Sequence, residues 1–227
     1  MTTSLLVLGV IMAIIVGWLL RQTLNVKPWL SQRAVEGAVE GADGKGALHM
    51  PSIKVGLWVF LAVATSLFAL LISAYHMRMM DADWAKLPVP KVLWLNTVVL
   101  VLSSVAMQWT RNEAQRGQAD GVRDGLIAAG IFAFSFLAGQ LWAWQQLNTS
   151  GYFAVANPAN AFFYLLTALH GVHLLGGLWV WGRTTGRVLR GVEVAKVRLS
   201  VELCTVYWHY LLLVWLVLFA VLLQTHT

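Results

Sequence analysis

Residues Val201–Leu223 read VELCTVYWHYLLLVWLVLFAVLL, an apolar run long enough to cross the hydrocarbon core of a bilayer. Two ionisable residues interrupt it, Glu202 at its start and His209 inside it. Such groups are expensive in lipid and face protein or water instead of acyl chains. Seven positions separate them, about two helical turns, which leaves both on one face. With Thr205 between them they form a polar stripe on an otherwise greasy helix. Tyr207, Trp208 and Tyr210 surround the histidine.

The rest of the chain agrees with a bilayer as solvent. It has 227 residues, 59% of them hydrophobic and 11% charged, where soluble domains carry roughly 25% charged residues. Its 12 Trp and 5 Tyr suit membrane interfaces, which favour amphipathic rings. A net charge of +6 in such a protein reports topology and lipid contact, and no nucleic-acid partner is expected. Cys204 is the single cysteine, which excludes an intrachain disulfide and a cysteine-held metal.

Six membrane-length spans follow from the apolar runs, near Ser4–Leu20, Val55–Met77, Val92–Trp109, Gly125–Leu147, Asn160–Trp181 and Val201–Leu223. The fold expected is an all-α integral membrane protein, a bundle of about six transmembrane helices. Three parts are expected: an N-terminal transmembrane helix over 1–20, a cytoplasmic linker over 21–54, and a five-helix bundle over 55–227. The first run lacks a basic n-region, since Met1–Ser4 is uncharged, and no A-x-A site follows it, so it reads as a retained anchor and not a signal peptide. The linker contains EGAVEGADGKGA, whose Gly, Ala and mixed charge cannot build a core.

Basic residues set the expected orientation. Of 16 Lys and Arg, all but Arg78, Lys86 and Lys91 fall in the first, third and fifth connections. Those connections are expected to be cytoplasmic, with both termini outside.

The fifth span holds His170 and His173, which at i, i+3 face roughly the same way. They could serve a haem or metal, with His209 or His76 opposite, or hydrogen-bond between helices. Gly171, Gly176 and Gly177 point to close helix packing, because small residues let backbones approach. The third span carries Asn96, Thr97, Ser103, Ser104 and Gln108, polar enough to imply a packed interior. In the second span, Ser66, Ser73 and His76 share a face, a pattern more often satisfied by backbone or a neighbouring helix. Gln140, Gln145 and Gln146, near Trp142 and Trp144, read as an interfacial anchor. Glu202 is the only acid inside a span as drawn, and no phosphate loop, dinucleotide fingerprint or paired-carboxylate motif occurs.

Taken together, these segments resemble subunit III of the haem–copper cytochrome c oxidases, from about Ile53 to Leu223. FFYLLTALHGVHLLGG (Phe162–Gly177) is similar to the family's FF-x-x-TG-x-HG-x-H-x-x-x-G pattern. ELCTVYWHYLLLVWLVLF (Glu202–Phe219) is similar to E-x-x-x-x-YWHF-x-D-x-VW. The second span resembles the family's G-x-W-x-F helix, and Leu93–Thr97 and Ser103-Ser104 also fit. The matching motif residues are His170, Gly171, His173, Gly177, Glu202, Trp208, His209 and Trp215. Ala64 stands where the family often has a buried Glu, Leu212 where it has Asp, and Tyr210 where it has Phe. Six spans stand against the family's usual seven.

The resemblance implies an accessory subunit without catalytic residues. It would hold no haem and no copper, which belong to partner subunits. Oxidase subunit I would be its main contact, with other oxidase subunits and phospholipids beside it. It would support stability, proton uptake and sustained oxygen reduction in a bacterial inner membrane. Two other classes are weighed against this: a b-type cytochrome anchor binding haem through His170, His173 or His209, and a small permease. A permease would usually show broken helices or inverted repeats, and none is seen.

Overall fold

A computed structural model describes residues 52–224 except 86, 87 and 89. Among the described residues the secondary structure is entirely helical, in five long helices: α1 Ser52–Arg78, α2 Val92–Arg116, α3 Ala119–Thr149, α4 Pro158–Leu189 and α5 Val194–Gln224. All five are long and apolar enough to span a membrane. They correspond to the last five expected spans. The Ser4–Leu20 span and the linker up to residue 51 lie outside the described residues. The chain divides at Val59–Phe60 into two compact units. Of the first, only the opening turns of α1 are among the described residues. The helix bundle is the second.

Helices of 25 to 32 residues measure roughly 38–48 Å at 1.5 Å per residue, more than the hydrocarbon core of about 30 Å. They therefore run on past the expected span ends. Arg111, Arg116, Arg123, Arg183, Arg187, Lys196 and Arg198, read from sequence as connection residues, sit on helix termini instead. Hydropathy stops where charge begins, but the backbone ladder does not.

The last three connections are short. After α2, α3 and α4, the chain turns at Gly117, Gly151 and Gly191, all at positive φ (76°, 85° and 76°). At the first, the Gly117 N–H donates to the Ala114 carbonyl and the Gln118 N–H to that of Glu113, the paired bonds of a Schellman cap, where a Cβ would be strained. Helix α4 starts on Asn157, whose side-chain oxygen accepts from the Ala159 N–H at 3.1 Å, with Pro158 in the first turn.

Helices α2, α3, α4 and α5 pack in a closed antiparallel ring, each against its two neighbours. The largest fully buried side chains include Trp208, Trp215, Tyr210, Phe136 and Phe163. Helix α1 lies outside, against α4 and α5, through Phe60 and Phe68 on the His173 ring and Tyr75 on Phe162.

Candidate functional site

The ring is tied by one device used three times, in which an indole N–H donates to a hydroxyl that itself donates to a carbonyl. Trp208 on α5 donates to the Ser103 hydroxyl at 2.9 Å, and Ser103 donates to the Ala129 carbonyl at 2.9 Å, linking α5, α2 and α3. Trp215 donates to Thr97 at 3.0 Å, whose proton goes to the Leu93 carbonyl. Trp144 on α3 donates to Thr167 on α4 at 3.1 Å, and Thr167 donates to the Phe163 carbonyl. A hydroxyl is both donor and acceptor, so it lets an indole be buried without leaving its N–H unpaired. Trp208 and Trp215 are thus core residues. The polar third span faces the packed interior here, with Asn96, Ser103 and Ser104 buried; Ser103 and Thr97 are hydrogen-bonded.

The two histidines of α4 do not share a site. A separation of three residues turns the helix by 300°, and the remaining 60° is enough to split them. His170 is fully buried inside the ring. It sits between Phe136 of α3, ring centroids 5.7 Å apart, and Trp215 of α5, 5.2 Å. His173 faces α1, 5.3 Å from the Phe68 ring; its Nδ1 bonds the Leu169 carbonyl, and its own carbonyl accepts from the Tyr207 hydroxyl at 2.8 Å. His76 likewise bonds the Ile72 carbonyl one turn back. Among the described residues, no three His, Cys, Asp or Glu side chains are grouped to hold a metal.

The glycines differ as well. A Cβ at Gly177 would lie 2.6 Å from the Tyr207 ring and 3.2 Å from Trp208, so α4 and α5 touch there. Among the described residues nothing approaches Gly171 or Gly176, so the close packing expected at both is not made within this chain. Unexpected close approaches occur on α3 instead, where Gly125 meets Thr110, Gly130 meets the Trp181 ring and Gly139 meets the Asn96 amide.

The polar stripe of α5 lies along its seam with α2. Thr205 is buried and donates to the Met107 carbonyl of α2 at 3.2 Å and to the Val201 carbonyl of its own helix at 2.9 Å. Glu202 stands 3.9 Å from the Arg111 guanidinium of α2, both part-exposed at one end of the ring. His209 Nδ1 bonds the Thr205 carbonyl at 2.7 Å, and the ring lines a groove between α2 and α5.

Gln140 is the clearest misreading among the polar side chains. It is buried in the ring, not anchored at the interface, whereas Gln145 and Gln146 are exposed. Gln140, the amide nitrogen of Asn96 and both ring nitrogens of His170 have no hydrogen-bond partner among the described residues. Asn96 meets Gly139, the neighbour of Gln140, while His170 packs on Phe136 one turn away, so these groups come from three helices at similar depth.

A family model described as cytochrome c oxidase subunit III matches residues 2–225. The chain belongs to that family. Its relatives include a probable cytochrome c oxidase subunit 3 of Mycobacterium leprae, 30% identical over 186 residues that cover 78% of this chain and 90% of the relative. Cytochrome c oxidase subunit 3 of Thermostichus vulcanus is 28% identical over 181 residues, 76% of this chain and 87% of its own length. That of Synechocystis is 26% identical over 204 residues, 87% of this chain and 84% of the relative.

Within this subunit III chain, the departures from the family pattern now have places. Ala64 is buried on α1, and Leu212 lines the α2–α5 groove. The Tyr210 hydroxyl lies 3.1 Å from Thr65 of α1. Thr65 spends its proton on the Leu61 carbonyl at 2.7 Å, so Tyr210 is the donor. A phenylalanine could not make this link between α1 and α5. Glu113 is a functional-site candidate that hydropathy concealed. It is buried beside Gly121 and paired with Arg116 at 3.0 Å. The signal was an acid three residues before an arginine in a stretch taken for a loop.

Proposed function

We propose that this chain is the non-catalytic subunit III of a proton-pumping haem–copper oxidase in a bacterial cytoplasmic membrane. It packs on subunit I, contacts other oxidase subunits and phospholipids, and supports stability, proton uptake and sustained oxygen reduction. Haem and copper reside in the partner subunits. Both termini lie outside the cytoplasm, because most Lys and Arg belong to connections on the opposite side. The family match over residues 2–225 carries the reading.

The site geometry supports it. His170, Gly177, Trp208 and Trp215 are packing residues of the ring, and His173 braces α1. Glu202 and His209 belong to the α2–α5 seam. At Gly171, which also matches the family motif, a Cβ would meet nothing within this chain. A b-type anchor would need histidines on facing helices aimed at one space, whereas His170 and His173 face different neighbours.

Purification in mild detergent tests this. A haem-bearing oxidase subunit should co-purify with the tagged chain. The isolated chain should show no Soret band, and oxidase stripped of it should keep its haem spectrum while losing activity faster during turnover. A chain that purifies without any oxidase subunit, or that holds stoichiometric haem alone, overturns the proposal.

A further inference from the structure

One layer of the ring takes a polar side chain from each of three helices. Asn96 of α2 lies against Gly139 of α3, the neighbour of Gln140. One turn before Gln140, Phe136 meets the His170 ring of α4; one turn after it, Trp144 donates to Thr167, a turn before His170. The two helices run antiparallel, so Gln140 stands opposite the turn from Thr167 to His170. The His170 ring lies on Trp215 of α5, 5.2 Å between centroids, and Trp215 donates to Thr97, next to Asn96. Asn96, Gln140, His170 and Trp215 therefore share one level of the ring.

The first three are 2%, 4% and 0% exposed, which removes them from both bulk water and lipid. Among the described residues no partner meets the Asn96 amide nitrogen, either polar atom of Gln140 or either nitrogen of His170. The nearby hydroxyls have spent their protons, Thr97 on the Leu93 carbonyl and Thr167 on the Phe163 carbonyl. His76 and His173 turn Nδ1 to the carbonyl one turn back in their own helix, and His170 does not. Buried polar groups are as a rule paired with protein or with ordered water.

We infer that this layer binds ordered water inside the ring, held jointly by Gln140, Asn96 and His170. An amide nitrogen offers protons, an amide oxygen accepts them, and a neutral imidazole does one of each. Their common ligand must both donate and accept. Water does so, and a buried water makes about three hydrogen bonds to groups of this kind. An ion would be left without a counter-charge, because no carboxylate, Lys or Arg belongs to the layer, and burying an unpaired charge is costly. Ala143 adds only a methyl group to the buried face of α3 beside Gln140. The inference rests on the ring itself and is independent of the proposed oxidase function.

Solid-state NMR of the isotope-labelled full chain in lipid bilayers tests it, by following magnetisation passed from water protons to side chains. Gln146, exposed on α3, is the positive control. Transfer should also reach the Gln140 and Asn96 amide protons and the His170 N–H. Transfer at Gln146 with none at these three overturns the inference, as does a coupling that shows a direct Gln140–His170 hydrogen bond. Gln140→Met keeps the side-chain length and removes both polar atoms. In that variant, water transfer to His170 should be lost while the helical content stays that of the wild type. Undiminished transfer to His170 would mean that the three residues share no water, and the inference would fall. The wild-type spectra decide the matter alone if the variant does not fold.

Discussion

Helices α1 and α5 are equally convincing membrane spans by composition, yet they live in different environments. Over its most apolar stretch α5 is 61% buried in protein and α1 only 22%. Helix α5 is fastened by directional bonds, Trp208 to Ser103, Trp215 to Thr97 and Thr205 to the Met107 carbonyl. Among the described residues, helix α1 rests mainly on rings and the hydroxyl pair between Thr65 and Tyr210. In water, apolar surface alone would drive both inward. In lipid the surroundings are as apolar as leucine, so hydrogen bonds and close shape decide which helix is held.

The sharpest way to break that contrast is to truncate one buried ring on each helix. Trp208→Ala removes a fully buried indole and the N–H that Ser103 accepts from, and large aromatic truncations in cores cost about 3–5 kcal/mol. Loss of folded subunit, followed by unfolding in mixed micelles, is the expected outcome. Phe68→Ala on α1 should cost clearly less, because acyl chains can refill space beside a lipid-facing helix. Equal losses would mean that α1 is as much a core element as α5.

The same contrast explains what could be read in advance. Five span positions were legible because twenty-residue apolar runs have few alternatives in a bilayer. His170 and Trp208, which the family motifs single out, are buried in the ring. What each one touches was not legible, since Trp208 and Ser103 or Glu202 and Arg111 meet across about a hundred residues of chain, and hydropathy contains no register. Gln140 was misplaced for a related reason. A glutamine close to two tryptophans looks interfacial, but Gln140 lies on the face of α3 that is buried in the ring, and hydropathy does not reveal that face. The open faces of Gly171 and Gly176 show the limit of reading small residues as contacts without knowing which side a neighbour occupies.

The hydroxyl pair that joins the two helices offers an intermediate effect. Thr65→Val and Tyr210→Phe each delete it with little change in shape. Interhelical hydrogen bonds in membranes average about 0.6 kcal/mol and reach about 1.7. Each variant should lose an amount in that range, and a double-mutant cycle should return most of it as coupling. Thermal unfolding in detergent measures both. Coupling indistinguishable from zero would show that ring contacts alone seat α1, and would widen the difference from α5.

The smallest effect is expected at the end of α1, outside the bilayer. Arg78 bonds both oxygens of Asp83, at 2.8 and 2.6 Å, and also pairs with Asp81. The guanidinium holds the Asp83 carboxyl below its ordinary value of 3.8. A depressed carboxyl binds fewer protons folded than unfolded, so its contribution is complete above pH 3.8 and fades as pH falls through the lower folded value. The pair is exposed, and water and salt screen it. Asp83→Asn should therefore lower the melting temperature only slightly at pH 7. That gap should close as the pH is taken below 3.8 toward the folded value, and it should shrink in high salt. A gap that persisted in acid and at high ionic strength would mean that Asp83 positions the turn after α1 by packing or neutral hydrogen bonds. The exposed end of α1 would then be held more firmly than its span.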